Sequence, residues 1–204
     1  MPKIKFTKKD IVKATYEIMK NEGIKNISAR KIASKFKGST APIYANFSTI
    51  EELKEEIIKL AEEKLDEYLN GHYSDKWEED RKILNTAIGF VVFAREEKEL
   101  YRAIFLDGSK GFKTLFDETI EKLLTKEELL KSFPQLPEEE AKLSVLRLWY
   151  FLYGYATLVC TNAILDQTNE VIETRILDIA EHFKETDNIT FACTVGSQQD
   201  IHVV

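Results

Sequence analysis

Residues 7–53 constrain the fold most, because capping and stop residues divide this stretch into short helices. Thr7 is suited to cap a helix that has Asp10 at its third position. Apolar residues then recur at helical period until Gly23, which supplies a left-handed stop. The pattern predicts a first helix over residues 8–22.

Two shorter helices are predicted next. Ser28 caps the second helix, whose buried face is Ile32, Ala33 and Phe36, and the tight turn Lys37-Gly38 follows it. Ser39 then caps a very short third helix over residues 39–46. Pro42 falls in the first turn of that helix, where its missing N–H has no intrahelical partner to lose.

A long helix follows this set and completes the pattern. Ser48 and Glu51 have the spacing of a capping box, which predicts a helix over residues 49–70. Three short helices leading into a long one are typical of a helix-turn-helix headpiece with a connecting helix.

The charge distribution separates this end of the chain from the rest. Residues 1–50 carry eleven Lys and Arg against three Asp and Glu, a net charge of +8. Residues 51–204 carry eighteen against thirty-two, a net charge of −14. Because an electrostatic footprint depends on where the charge lies, the acidic pI near 5.3 does not exclude a nucleic-acid partner.

The residues around the third predicted helix resemble the DNA-binding domain of the TetR/AcrR family of bacterial transcriptional regulators. Ile43, Tyr44 and Phe47 match the aliphatic-Tyr-x-x-Phe signature of that family, and Glu51-Glu52-Leu53 matches the start of its connecting helix. The close resemblance covers about the first quarter of the chain. The chain departs from the family pattern at Lys37-Gly38 and at Ala45-Asn46.

Groove geometry and this resemblance together suggest the residues that contact DNA. A short helix in the major groove presents its N-terminal residues to base edges, and the preceding helix crosses the backbone. The groove face is assigned to Ser39, Thr40 and Ala41, with a hydrogen bond from Thr40 to a base and a methyl of Thr40 or Ala41 on thymine. Further candidates are Asn46 for adenine or a phosphate and, for phosphates, Tyr44, Arg30, Lys31, Lys37 and Lys54. Tyr44 has an alternative role in the small core, to which Ile43 and Phe47 are assigned.

Length and composition predict an all-α protein of two parts. The 204 residues are 44% hydrophobic with few Gly and Pro, and helical periodicity dominates. The two predicted parts are a DNA-binding headpiece (1–50) and an effector-binding and dimerisation bundle (51–186), and an irregular tail (187–204) follows them. No stretch at the N-terminus resembles a signal peptide, and the two cysteines form no framework, which favours the cytoplasm.

The sequence pattern of the body predicts a helical bundle. Helices are predicted from Trp77 to about Arg95, from Lys98 to Leu106 and over the apolar residues between Phe112 and Leu124, with a loop at 107–111. A fourth helix is predicted over residues 138–165.

Residues 148–165 of that helix contain no charge, which raises a membrane interpretation. Its tyrosines, threonines and asparagine, and the lack of a second span, favour instead a soluble helix that is buried on every side. Together with a helix over 169–185 capped by Asn169, it is expected to form an antiparallel pair. Two pairs across a two-fold axis make a homodimer, which the family resemblance also implies. The expected interface residues are Leu158, Leu165, Ile172, Ile176, Ile179 and Phe183.

Aromatic residues of the body are candidates for a small-molecule site, although most also fit a plain core. Arg147 requires a carboxylate partner, either an internal Glu or an anionic ligand, and Phe93 and Arg95 are expected at the lip of the site. The candidate ligand-binding residues are Phe90, Phe93, Tyr101, Phe105, Phe112, Phe116, Arg147, Trp149, Tyr150 and Tyr153.

No catalytic or metal-binding pattern emerges from the sequence. The three histidines have no ligand spacing, and residues 108–111 lack the glycine spacing of a phosphate loop. No cofactor is expected. The function predicted is that of a homodimeric repressor that binds double-stranded operator DNA and is released by a small, largely apolar effector. A ligand-independent DNA-binding adaptor and an enzyme acting on a small apolar molecule remain as alternatives.

Overall fold

The computed structural model describes residues 6–71, 73, 82–107, 125–165 and 167–185, with only the backbone at 128, 130, 132 and 183–185. In this part of the chain every regular element is helical, which confirms the predicted all-α fold. The helices are α1 (Lys8–Glu22), α2 (Ala29–Lys35), α3 (Ala41–Asn46), α4 (Ile50–Leu69), α5 (Lys82–Glu96), α6 (Lys98–Tyr101), α7 (Lys126–Ser132), α8 (Glu138–Cys160) and α9 (Asn169–Glu185). A 3₁₀ turn (Ile24–Asn26) follows α1, and a π-helical turn (Arg102–Leu106) follows α6.

The first helix is closed at both ends as its sequence predicts. The Thr7 hydroxyl accepts the Asp10 backbone N–H at 3.2 Å, and the Asp10 carboxylate accepts the Thr7 backbone N–H at 2.9 Å, which completes a capping box. Gly23 follows the helix at φ +84°, where a side chain would strain the backbone. The start and stop signals alone therefore give the correct bounds of α1.

The chain turns at Lys37-Gly38 as predicted, with Lys37 in the left-handed conformation at φ +51°. The start of the third helix differs from its prediction. Ser39 does not cap α3, because the helix begins at Ala41 after Thr40, and the Thr40 side chain makes no capping bond. Pro42 lies in the first turn, so its ring and missing N–H are tolerated there as predicted.

The caps of two later helices are displaced by one residue. Thr49, and not Ser48, caps α4, since its hydroxyl accepts the Glu52 N–H at 3.0 Å while the Glu52 carboxylate accepts the Ser48 N–H. The N-terminus of α9 is likewise capped by the Thr168 hydroxyl, so the prediction of an Asn169 cap was wrong. In both places a Thr stands beside the predicted residue and can serve equally well, so the sequence does not decide between the two.

The buried apolar residues form one continuous core that runs through both ends of the molecule. Helix α4 contributes to the headpiece and to the body, because its buried residues Leu53, Ile57, Ala61, Leu65 and Leu69 extend over its full length. The division of the chain at residue 50 remains a prediction.

Helix α5 lies at the centre of the body. Its ten buried residues pack against α4, α8 and α9, and it is closed in on nearly every side. Helix α8 is long and apolar enough to span a membrane by length and composition, but it also has ten buried side chains, and it packs mainly against α5. It ends at Cys160 and not at 165, because Asn162 adopts the left-handed conformation at φ +56°.

Several predicted segments lie outside the described residues: the helix from Phe112 to Leu124, the first part of the helix that starts at Trp77, most of the loop at 107–111 and the tail 187–204.

Gly89 allows α4 and α5 to approach each other closely. A Cβ atom at this position would lie 2.1 Å from the Tyr68 carbonyl oxygen, well inside van der Waals contact with backbone that cannot swing away.

We expect Gly89→Ala to lower the free energy of unfolding by about 3 kcal/mol, because overpacking at this helix crossing outweighs the gain in helix propensity. Gly38→Ala is the matched control. A Cβ at Gly38 would meet nothing closer than 3.5 Å, so little change is expected in denaturant unfolding. Equal stability of both variants would contradict the close approach.

Candidate functional site

The exposed face of α3 and the residues before it form the candidate DNA-binding surface. Tyr44 is 54% exposed, whereas Ile43 and Phe47 are almost fully buried in the headpiece core. Tyr44 therefore lies largely on the outer face of α3, and its contact with a phosphate stays a prediction. Ile43 and Phe47 hold α3 in place, and the amphipathic ring of Tyr44 lies on the outer face of this helix.

Small side chains surround Tyr44 on this surface. Ser39 and Ala41 are exposed, and Thr40 is partly exposed at the start of the helix. Among the described residues the Thr40 hydroxyl has no hydrogen-bond partner, because it does not serve as a cap. The Asn46 amide nitrogen donates to the Pro42 carbonyl at 2.8 Å, and its assignment to DNA stays a prediction.

The basic candidates divide into exposed and paired side chains. Arg30 and Lys37 are exposed, and Lys35 is a further exposed lysine at the end of α2 that the sequence reasoning did not single out. Lys31 instead forms an ion pair with Glu22, and Lys54 lies 3.8 Å from Glu51. A phosphate contact by either paired lysine requires exchange of its partner.

The aromatic candidates of the body meet in one buried cluster, the aromatic core, consisting of Phe90, Phe93, Tyr101, Phe105 and Trp149. Phe90 is its centre: its ring centroid lies 5.3 Å from those of Phe105 and Trp149 and 5.8 Å from that of Tyr101, each at a steep interplanar angle. This is the edge-to-face geometry that aromatic rings prefer. These five of the ten predicted ligand-binding residues thus come together, although residues 90 and 149 are far apart in the chain, and their binding of a ligand stays a prediction.

Hydrogen bonds tie this core to α8. The Tyr101 hydroxyl lies 3.1 Å from the Thr157 hydroxyl, and the Tyr153 hydroxyl donates to the Phe105 carbonyl at 3.1 Å. Burial raises the pKa of Tyr101, and the bond to Thr157 offsets part of that shift. The segment after α5 is therefore fixed to α8 by side-chain as well as ring contacts.

Four predicted ligand contacts are placed elsewhere or lie outside the description. Tyr150 is 68% exposed on the outer face of α8, so its assignment to the interior was wrong. Arg147 is partly exposed and not a buried guanidinium. Phe112 and Phe116 lie outside the described residues.

The two residues expected at the lip do not form one. Phe93 is fully buried and packs against Tyr68 of α4 at 5.4 Å between ring centroids. Arg95 bonds the Glu96 carboxylate and the Gln167 carbonyl, each at 2.6 Å, and so joins α5 to the connection between α8 and α9. Both side chains are committed to packing between helices.

Two expected interface residues are also corrected. Ile172 and Ile176 are fully buried within the single chain, because this side of α9 packs on α5 and α8. Leu158 and Leu165 are exposed and Ile179 is partly exposed, while the side chain of Phe183 is not described. Within the described part of the chain no three His, Cys, Asp or Glu side chains are grouped to hold a metal ion.

Neither a family model nor a curated protein matches this sequence. Solved structures do match the fold. A TetR-like transcriptional regulator from Rhodococcus sp. RHA1 superposes with a TM-score of 0.62 at 15% identity, covering 84% of this chain and 92% of the other. A putative TetR-family regulator from Rhodococcus sp. gives 0.59 at 11% identity, with 85% and 96% covered. A TetR variant from Acinetobacter baumannii AYE in complex with minocycline gives 0.56 at 13% identity, with 88% and 97% covered. The chain thus has the fold of TetR-type transcriptional regulators, as its N-terminal resemblance predicts.

Burial of Tyr101 leads to a prediction about alkaline pH. Tyr101→Phe should lower the free energy of unfolding by about 1 kcal/mol at neutral pH, through loss of the bond to Thr157. Because the folded-state pKa of Tyr101 is raised above its ordinary value of 10.0, the stability that this hydroxyl adds is complete below pH 10 and is lost as the pH rises further. The difference in free energy of unfolding between wild type and Tyr101→Phe should therefore shrink above pH 10 in denaturant titrations. A difference that widens with pH would contradict the assignment.

Proposed function

We propose that this protein is a homodimeric, cytoplasmic DNA-binding regulator, and specifically a repressor that a small, largely apolar effector releases from its operator. The observation that carries the proposal is the exposed face of α3, where Tyr44 and the small residues around it stand out from a headpiece of net charge +8. The fold of TetR-type regulators supports the same class of function.

Major-groove docking accounts for the composition of this face. Residues with small side chains at the start of α3 allow the helix to approach base edges, and the Thr40 hydroxyl is in position to bond one of them. Tyr44, three to four residues later, projects its hydroxyl toward a phosphate at the groove edge. Arg30, Lys35 and Lys37 add exposed positive charge beside the helix for backbone contacts.

This division of roles gives the main test. A duplex selected from random palindromes serves as the operator, and its affinity for the wild type should fall steeply with salt. Tyr44→Phe should weaken all duplexes about equally, because a phosphate contact carries no sequence information. Thr40→Ala should cost about 1–3 kcal/mol and relax the preference at one base pair. Fluorescence anisotropy with the selected duplex and its single-base variants measures both effects.

The matched control for that experiment is Thr174→Val, which removes an exposed hydroxyl on α9, outside both the headpiece and the proposed dimer interface. It should leave DNA binding unchanged. If Tyr44→Phe and Thr40→Ala also bind as the wild type does, α3 is not the recognition helix, and a flat salt response would exclude DNA as the partner.

The proposed dimer interface lies on the outer face of α8. Among the described residues, the large apolar side chains that are exposed are Tyr44, Leu143, Tyr150, Leu158 and Leu165, and all but Tyr44 belong to α8 or the segment just after it. Leu143, Tyr150, Leu158 and the exposed Gly154 recur at spacings of four or seven residues along α8 and so form one stripe, and Leu165 lies beyond the end of this helix. A second copy of the chain is the partner that a palindromic operator requires, and the same stripe on that copy covers this one.

A comparison of one charge substitution in the stripe with one in the core tests this interface. Leu158→Glu should dissociate the dimer while the subunit stays folded, because the new charge is buried only between subunits. Ile176→Glu should instead unfold the subunit, since Ile176 is fully buried within one chain. Sedimentation velocity and circular dichroism read the two outcomes, with Ser34→Glu on the exposed face of α2 as the charge control. An intact dimer of Leu158→Glu would place the two-fold axis elsewhere.

The effector is assigned to the body, next to the aromatic core. The minocycline complex of the Acinetobacter regulator is a precedent for a small molecule bound by this fold. Release follows if the effector prefers a conformation in which the two recognition helices miss the half-site spacing. To shift the dimer from mostly bound to mostly free, that preference must be about 10⁴-fold, or about 5.5 kcal/mol.

A second candidate is a DNA-binding adaptor without an effector. It is favoured by the packing of the five core aromatic residues, which contact one another directly and are themselves almost fully buried. A thermal-shift screen against aromatic metabolites and drugs, followed by operator release with each compound that binds, decides between the two. No binding compound in a broad panel favours the adaptor.

A further inference from the structure

Residues 97–107, which follow α5 in the chain, contact both the headpiece and α8. This segment comprises Glu97, helix α6, the π-helical turn and Asp107. On one side it carries two members of the aromatic core, Tyr101 and Phe105, and on the other it faces the end of α1. We refer to it as the joint.

Two ion pairs link the joint to the headpiece. The Lys20 ammonium of α1 donates to the Glu97 carboxylate at 2.9 Å, and Lys25 of the 3₁₀ turn pairs with Asp107. Glu97 is 8% exposed, so its charge depends on Lys20 for compensation. Lys20 and Glu97 are separated by 77 positions in the chain, and Lys25 and Asp107 by 82. Both pairs are independent of the covalent connection through α4.

The headpiece and the joint also approach closely between the two ion pairs. At Gly23 a Cβ atom would lie 2.7 Å from a carboxylate oxygen of Glu99, so a side chain at position 23 would displace the end of the Glu99 side chain. Lys20, Gly23 and Lys25 thus lie along one strip of the headpiece, opposite three acidic side chains of the joint.

The other side of the joint is fixed to α8. Besides the contacts of Tyr101 and Phe105, the Lys98 ammonium donates to the Asn162 side-chain oxygen at 2.6 Å, and the Cys160 thiol lies 3.6 Å from the Lys98 carbonyl. Because α8 carries the proposed dimer stripe, the joint links the position of each headpiece to the two-fold axis.

The joint ends in a π-helical turn. Its last bond, from the Asp107 N–H to the Arg102 carbonyl at 2.9 Å, spans five residues where an α-helix spans four. In α geometry the end of this turn would be rotated by about 100°, so the π geometry is what places Asp107 opposite Lys25.

We propose that the joint is an electrostatic latch, which holds the headpiece at a fixed orientation to the dimer axis through the pairs Lys20–Glu97 and Lys25–Asp107. The latch rests on these contacts, and its effect on operator binding rests on the proposed function. With the latch open, the headpieces sample other orientations, so a palindrome loses affinity while a single half-site does not.

The test compares Lys20→Gln with Lys13→Gln, which removes the same charge from an exposed position on the same helix. In DNA-free protein, hydrogen exchange of amides at 23–27 and 98–107 should rise roughly tenfold in Lys20→Gln alone, as expected for loss of a charge-assisted bond. Exchange in α9 should stay unchanged, which shows that the fold is intact. The charge-reversed double variant Lys20→Glu with Glu97→Lys should restore the protection.

Operator binding forms the second part of the test. Lys20→Gln should weaken the selected palindrome roughly tenfold more than Lys13→Gln does, with equal affinities for a half-site duplex. Unchanged exchange in Lys20→Gln would overturn the latch, and equal palindrome binding by the two variants would overturn its role in DNA binding. A half-site loss specific to Lys20→Gln would make Lys20 a DNA contact instead. If the wild type selects no DNA, the proposed function fails, and the exchange result still decides whether the latch exists.

Discussion

The packing of α5 against its neighbours is the constraint on which the rest of the structure depends. This helix is buried on nearly every side, and it holds α4, α8 and α9 together around one core. Its contact with α4 requires glycine at position 89, where the Tyr68 carbonyl occupies the space of a Cβ atom. Because close-packed interiors do not deform continuously, a fixed crossing here sets the direction in which α4 carries the headpiece.

Two connections therefore run from the body to the headpiece. One is covalent and apolar, through α4, whose buried residues serve both ends of the molecule. The other is the joint, whose ion pairs are partly exposed and so respond to charge and salt. The aromatic core lies next to both connections, since Phe93 packs against Tyr68 of α4 and Phe105 packs against Tyr101 of the joint.

Local signals were read correctly where neighbouring residues decide the structure. Thr7, Asp10 and Gly23 gave the bounds of α1, and Ser28 gave the start of α2, because a cap or a stop acts within one helical turn. The exact caps of α3, α4 and α9 were missed where adjacent residues compete for the same role, as Ser39 and Thr40 do. Periodicity also assigned Ile176 to the interface, since it marks an apolar face without showing which partner covers that face.

The sequence by itself determined the helices α1 to α4, the basic headpiece and its resemblance to a DNA-binding domain, since each depends on residues that are close in the chain. Only the tertiary structure decided that Tyr44 points outward, that the exposed stripe lies on α8 and that Glu97 meets Lys20. These facts depend on how helices distant in the chain cross. A side chain is buried or exposed, paired or unpaired, only with respect to the helices packed around it, and no local pattern encodes those neighbours.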